Sequence, residues 1–142
     1  MPLGSLNKIL FSFLWMMVLV SGCQKKGNPG TAVWTAEQFM KLYLQEVNQQ
    51  EAKKYSTGLA IQKLNDEITS AEQARSGGGN YTSQRAKFSY RLKENHLQDE
   101  REIFIYTISL TMDDNSSRPQ DFLVSLTEEN GKWKVSNYEY FK

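Results

Sequence analysis

Ile103-Phe104-Ile105-Tyr106-Thr107-Ile108-Ser109-Leu110-Thr111-Met112 decides the fold of this chain. Phe104, Tyr106, Ile108, Leu110 and Met112 share one side at every second position, and Ile103, Ile105, Thr107, Ser109 and Thr111 share the other. Aromatic and β-branched residues at a period of two make a strand, because successive side chains of extended backbone point to opposite faces. Similar stretches flank it. Phe88, Tyr90 and Leu92 alternate with Lys87, Ser89, Arg91 and Lys93, after which Asn95 to Asp99 turns the chain. Asp113 to Pro119 is a polar loop, Phe122 to Thr127 a third strand, and Trp133 to Phe141 a fourth. Glu129-Asn130-Gly131-Lys132 carries the Asn-Gly pair that a two-residue hairpin favours, since both central residues need positive φ. Strands joined in succession by turns give an antiparallel meander.

Ahead of the loop Ser76-Gly77-Gly78-Gly79-Asn80 the period changes to 3.6. Thr35-Ala36-Glu37-Gln38 reads as a capping box, and Phe39, Met40, Tyr43, Leu44 and Val47 fall on one face of a helix over 36–49. Ile61, Leu64, Ile68 and Ala71 mark a second helix over 58–74. Helices followed by a meander define an α+β domain over 35–142, with N-terminal helices packed on a curved antiparallel sheet. Near the end, strict alternation from Trp133 and Val135 sets Tyr138 and Tyr140 on the opposite face. Either a bulge near Ser136-Asn137 resets the register, or both faces carry aromatics and one fits a protein partner or a homodimer.

The N-terminal segment reads as an address. Ile9 to Val20 is an apolar run of 12 residues after Lys8. As a helix it rises about 18 Å, short of the roughly 30 Å hydrocarbon core, so it reads as a secretory signal over 1–22 rather than a span. Val20-Ser21-Gly22-Cys23 closes it. Residues 23–34 follow as a flexible tether, with Gln24 to Thr31 rich in Gly, Asn and Lys.

Seventeen Lys and Arg against 16 Asp and Glu leave no basic field for nucleic acid. One Cys and one His exclude a disulfide framework and make a transition-metal centre a poor reading; no cofactor is implied. His96 reads as a solvated turn residue, since a turn offers no fixed partner to tune a general base. Asp113, Asp114 and Asp121 lie in or beside loops, and Asp113-Asp114-Asn115 lacks the spacing of a calcium loop. The glycine run follows a helix rather than a strand, the reverse of a phosphate loop, and reads as a hinge. No catalytic cluster emerges.

Val20-Ser21-Gly22-Cys23 resembles the bacterial lipobox, in which a branched apolar residue and two small residues precede a cysteine. The resemblance implies a diacylglycerol on Cys23, signal-peptidase recognition through Val20, Ser21 and Gly22, and cleavage before Cys23. Two or three acyl chains there would anchor the protein stably in a membrane. Gln24 in place of Asp then leans toward the outer membrane, facing the periplasm, in a Gram-negative cell. The order of elements over 35–142, ending in Glu-Asn-Gly-Lys-Trp-Lys-Val-Ser (129–136), is similar to small bacterial lipoproteins of the nuclear-transport-factor-2-like, cystatin-like superfamily. In that superfamily a curved sheet wraps a helix into a cone whose mouth holds a ligand or a partner, and one more strand is expected near the second helix. The resemblance implies a pocket or partner surface among Tyr43, Tyr90, Tyr106, Trp133, Tyr138 and Tyr140.

Three functions follow as expectations. The first is a non-catalytic, membrane-anchored module that binds a protein or a small apolar ligand at the cell envelope. The second is an isomerase- or hydrolase-like enzyme using the cone, which an acidic side chain near Tyr43 would favour and a cone filled by Phe and Leu would oppose. The third is a structural subunit of an envelope or conjugation complex.

Overall fold

The computed structural model describes residues 27–77, 87–111 and 117–141. Helices come first and a four-stranded antiparallel sheet follows, in the order β1-β2-β3-β4. Val20, Ser21, Gly22 and Cys23, Met112 and the segment Asp113 to Asn115 lie outside the described residues.

Asn28-Pro29-Gly30-Thr31 forms a turn ahead of the first helix. Thr31 N–H donates to the Asn28 carbonyl at 3.1 Å and Gly30 has φ +89°, so Pro and Gly occupy the two central positions that a type II turn prefers. The Thr31 hydroxyl then accepts from Trp34 N–H at 3.2 Å and caps α1, Ala32–Met40. This corrects the capping box expected at Thr35: Thr35 is buried inside the helix, and the helix starts within the stretch read as tether. Ala32, Ala36, Phe39 and Met40 form its buried stripe.

Beyond Met40 the helix widens into a π segment, Lys41–Gln45, with Glu46 N–H donating to the Lys41 carbonyl. Val47 ends it at φ +50° and 61% exposure, so it is not on the apolar face, and the expected helix over 36–49 stops early. Asn48 restarts the chain as a short helix α2, Gln49–Ala52, by accepting from Glu51 N–H. A 3-10 turn, Lys53–Tyr55, follows. The second expected helix is α3, Gly58–Ser76, but its buried positions are Ala60 and Leu64, with Ile61 and Ile68 half-buried and Ala71 exposed. Among the described residues no further strand lies near it; there Ser56 makes a single parallel bridge to Val135, and Thr57 N–H donates to the Val135 carbonyl at 2.8 Å.

The strands are β1 (Lys87–Gln98), β2 (Arg101–Thr111), β3 (Ser117–Glu129) and β4 (Lys132–Tyr140). Two boundaries differ from the sequence reading. His96 sits in β1 opposite Ile103, exposed, and the turn is Asp99-Glu100, where both residues have positive φ. Residues 117–119 belong to β3, and Pro119 pairs with Ser109 where β4 no longer runs alongside; its missing N–H breaks no ladder there. The Asn130-Gly131 turn has φ +53° and +73°, as a type I′ hairpin requires.

A bulge settles the register of β4. Leu126 pairs with Val135 and Ser125 with Asn137, which leaves Ser136 as the extra residue. Val135 and Tyr138 therefore both reach the helix-facing core, joining Phe39, Leu64, Phe104, Tyr106, Phe122 and Leu126. A second bulge in β1, between Leu92 and Glu94, follows the expected stripe of Phe88, Tyr90 and Leu92.

Candidate functional site

Two carboxylates rise from the helices into the tyrosines that line the helix-facing side of the sheet. Glu37 sits on α1, one turn before Met40, and its two oxygens are taken separately. Tyr90 from β1 donates to one at 3.3 Å, and Tyr106 from β2 donates to the other at 3.2 Å. The two rings meet edge-on, with centroids 5.7 Å apart. Burial first, then the Glu37 carboxylate, holds both phenols above the ordinary tyrosine range. They remain protonated donors.

Glu67 sits two turns along α3 from Ala60, on the stripe that also buries Leu64. Here both hydroxyls converge on one oxygen: Tyr43 donates to Oε1 at 3.0 Å and Tyr138 at 2.9 Å. Among the described residues Oε2 has no hydrogen-bond partner, and it is not a buried orphan. The π segment brings Tyr43 here. Its ring stacks on Phe39 and on Phe122, with centroids 5.4 and 5.8 Å away, and meets Tyr138 at 4.9 Å. Tyr140 packs edge-on against Phe122 at 4.9 Å, its hydroxyl beside that of Tyr43. Burial and the Glu67 charge raise Tyr43; burial and the bond to Glu67 raise Tyr138; Tyr140 is raised mainly by burial. Lys63 closes one side, donating to the Tyr138 carbonyl at 2.7 Å and to Asn137 at 2.8 Å.

Of the six aromatics read as a pocket or partner surface, the fold thus gathers Tyr43, Tyr138 and Tyr140 around Glu67 and Tyr90 with Tyr106 around Glu37. Trp133 stays apart, half-buried against the core at the hairpin end of β4. The sequence reading looked for acids on the strands and passed over both glutamates. The available signal was a polar residue on an apolar helical stripe: Glu37 with Met40 and Leu44, Glu67 with Ala60 and Leu64. The interior between helices and sheet is filled by Phe39, Met40, Leu64, Phe104 and Phe122, all fully buried. The open chemistry lies at the rim, where Tyr140 is 44% and Phe141 46% exposed. Among the described residues no three His, Cys, Asp or Glu side chains gather as metal ligands, and no helix is long and apolar enough to cross a membrane.

The chain matches no known protein family and no curated protein. Among solved structures it is similar to a five-substitution variant of the designed nuclear-transport-factor-2-like protein Rd1NTF2_05. The identity is 21% and the TM-score 0.35. The match spans 40% of this chain and 50% of the designed one.

Proposed function

We propose that the protein is a bacterial lipoprotein, anchored through lipid on Cys23, whose nuclear-transport-factor-2-like domain is a non-catalytic binding module of the cell envelope. The observation that carries this reading is Val20-Ser21-Gly22-Cys23 closing a 12-residue apolar run. The order of helices and meander, with the Glu129 to Ser136 hairpin, supports the domain assignment. A packed interior favours recognition at the rim, by a protein partner or a small apolar ligand seated against Tyr140 and Phe141, over chemistry inside a cone. The outer membrane, facing the periplasm, is the proposed location. The decisive experiment is processing in a bacterial host. Globomycin should accumulate the precursor, and Cys23→Ala should move the protein from the membrane to the soluble fraction. A Cys23→Ala protein that still sediments with membranes overturns the anchor.

One observation favours a second reading. Glu67 Oε2, without a partner among the described residues, lies beside two protonated phenols, a carboxylate and acid pair of the kind an isomerase- or hydrolase-like enzyme uses. That reading expects a ligand whose binding is lost in both Glu67→Gln and Tyr43→Phe; retention in both contradicts it.

A further inference from the structure

The described fold already includes Gly27, much nearer to Cys23 than the composition of the linker implies. A tether running to residue 34 reaches about 40 Å fully extended. Yet the turn at 28–31 is hydrogen-bonded into the cap of α1, and Gly27 lies against the first helical turn. A Cβ on Gly27 would stand 2.7 Å from the Trp34 nitrogen and 2.8 Å from the Thr31 hydroxyl. Three residues, 24–26, separate Gly27 from Cys23. They reach about 14 Å at most. A lipid-bearing sulfur lies at the headgroup level, so this end of the domain cannot stand clear of the surface.

What this end presents suits that position. The Trp34 and Tyr55 rings meet edge-on with centroids 5.7 Å apart, both half-buried. Lys53 and Lys54 precede Tyr55, and Lys134 from β4 donates to the Lys54 carbonyl, so β4 starts at the same end. Indole and phenol rings edged by lysine stems are the side chains that settle at a membrane–water interface. Lys54 is paired with Glu51 at 2.6 Å, and Glu129 accepts from Thr57, so attraction to anionic lipid is not the basis. Reach and aromatic contact are. At the opposite end of β4, Tyr140 and Phe141 face away.

We infer that the phospholipid surface is a docking partner of the end formed by Gly27, Trp34, Lys53, Lys54 and Tyr55, which presents the Tyr140–Phe141 rim to the aqueous side. This rests on the lipidation of Cys23 proposed above. The test uses the processed full-length lipoprotein, reconstituted into phosphatidylcholine vesicles with or without brominated acyl chains. After removal of 1–22 two tryptophans remain, Trp34 and Trp133. In Trp133→Phe, Trp34 emission should fall about twofold on brominated lipid, as for an interfacial tryptophan. In a chain with Trp34→Phe, Trp133→Phe and Phe141→Trp, the reporter at 141 should keep its emission. Unaltered protein gives a readout that needs no variant: amine acylation of Lys53 and Lys54 should drop several-fold on vesicles relative to detergent, with Lys87 unchanged. Protein that floats with the vesicles but shows neither quenching of Trp34 nor protection of Lys54 overturns the docked end and leaves the anchor standing. Equal quenching at 34 and 141 overturns the orientation. Protein that does not float overturns the anchor and the docking together.

Discussion

The two tyrosine–glutamate clusters use the same parts to different ends. Glu37 gives one oxygen to Tyr90 and the other to Tyr106, whose ring is fully buried, so its acceptors are spent inside the fold. Glu67 collects Tyr43 and Tyr138 on a single oxygen and leaves the second without a partner among the described residues, near the exposed Tyr140. One cluster braces a helix against two strands. The other braces and also keeps capacity to meet something else. The difference comes from position: Glu37 sits over the middle of β1 and β2, whereas Glu67 sits where β4 and the π segment run out to the rim.

The largest effect should come from inserting one residue between Asn137 and Tyr138. That step moves Tyr138 and Tyr140 to the opposite face, so Glu67 loses a donor and the core loses a ring, at a cost of about 4 kcal/mol or more in denaturant unfolding. Deleting Ser136, which removes the bulge but keeps Asn137 opposite Ser125 and Tyr138 opposite Val124, should remain much closer to the parent. An insertion as mild as the deletion would show that the Glu67 cluster is not held by β4.

Glu37→Ala should cost about 2–3 kcal/mol, because the Tyr106 hydroxyl is stranded away from water. Glu67→Ala should cost about 1–2 kcal/mol: Tyr138 is buried, but solvent can serve the half-buried Tyr43. Equal losses, or the reverse order, would erase the contrast.

Alkaline pH reads both clusters at once. Tyr43, Tyr90, Tyr106, Tyr138 and Tyr140 are all held above the ordinary tyrosine value, chiefly by burial. A folded-state pKa above the unfolded one adds stability that is whole below about pH 10 and is lost as pH rises beyond it. Urea midpoints should hold from pH 7 to about 9.5 and fall above about pH 10. A midpoint that stays level through pH 11.5 contradicts the burial of these hydroxyls. The smallest effect belongs to the rim: Phe141→Ser, at a side chain 46% exposed, should change stability by less than about 0.5 kcal/mol and register only in partner binding.

Much of this architecture was legible in the chain. Period-two stretches place the four strands, Asn130-Gly131 places the hairpin, and the clash between Val135 and Tyr138 leaves two readings, of which the bulge at Ser136 is the one found. The first helix was harder. Thr35 and Gln38 imitate a capping box, yet Thr31 wins because the Pro29-Gly30 turn delivers it in extended backbone with its hydroxyl over Trp34 N–H. The π segment left no periodic trace. An insertion of one residue per turn shifts Tyr43 toward Glu67 and sends Val47 into solvent, which a 3.6-residue wheel does not anticipate. The glutamates were passed over because a search for acids on strands misses acids lowered onto a sheet from helices. His96 was misplaced for a related reason: a polar run read as a turn is extended β1 at the sheet edge, where water covers polar side chains.

The central claim is the modification of Cys23, on which both the envelope location and the docked end depend. Intact-mass spectrometry of the protein extracted from bacterial membranes tests it directly. A chain that begins at Cys23 and carries a diacylglyceryl group on its sulfur is the expected result. A chain that still begins at Met1, or a Cys23 with an unmodified thiol, would contradict it.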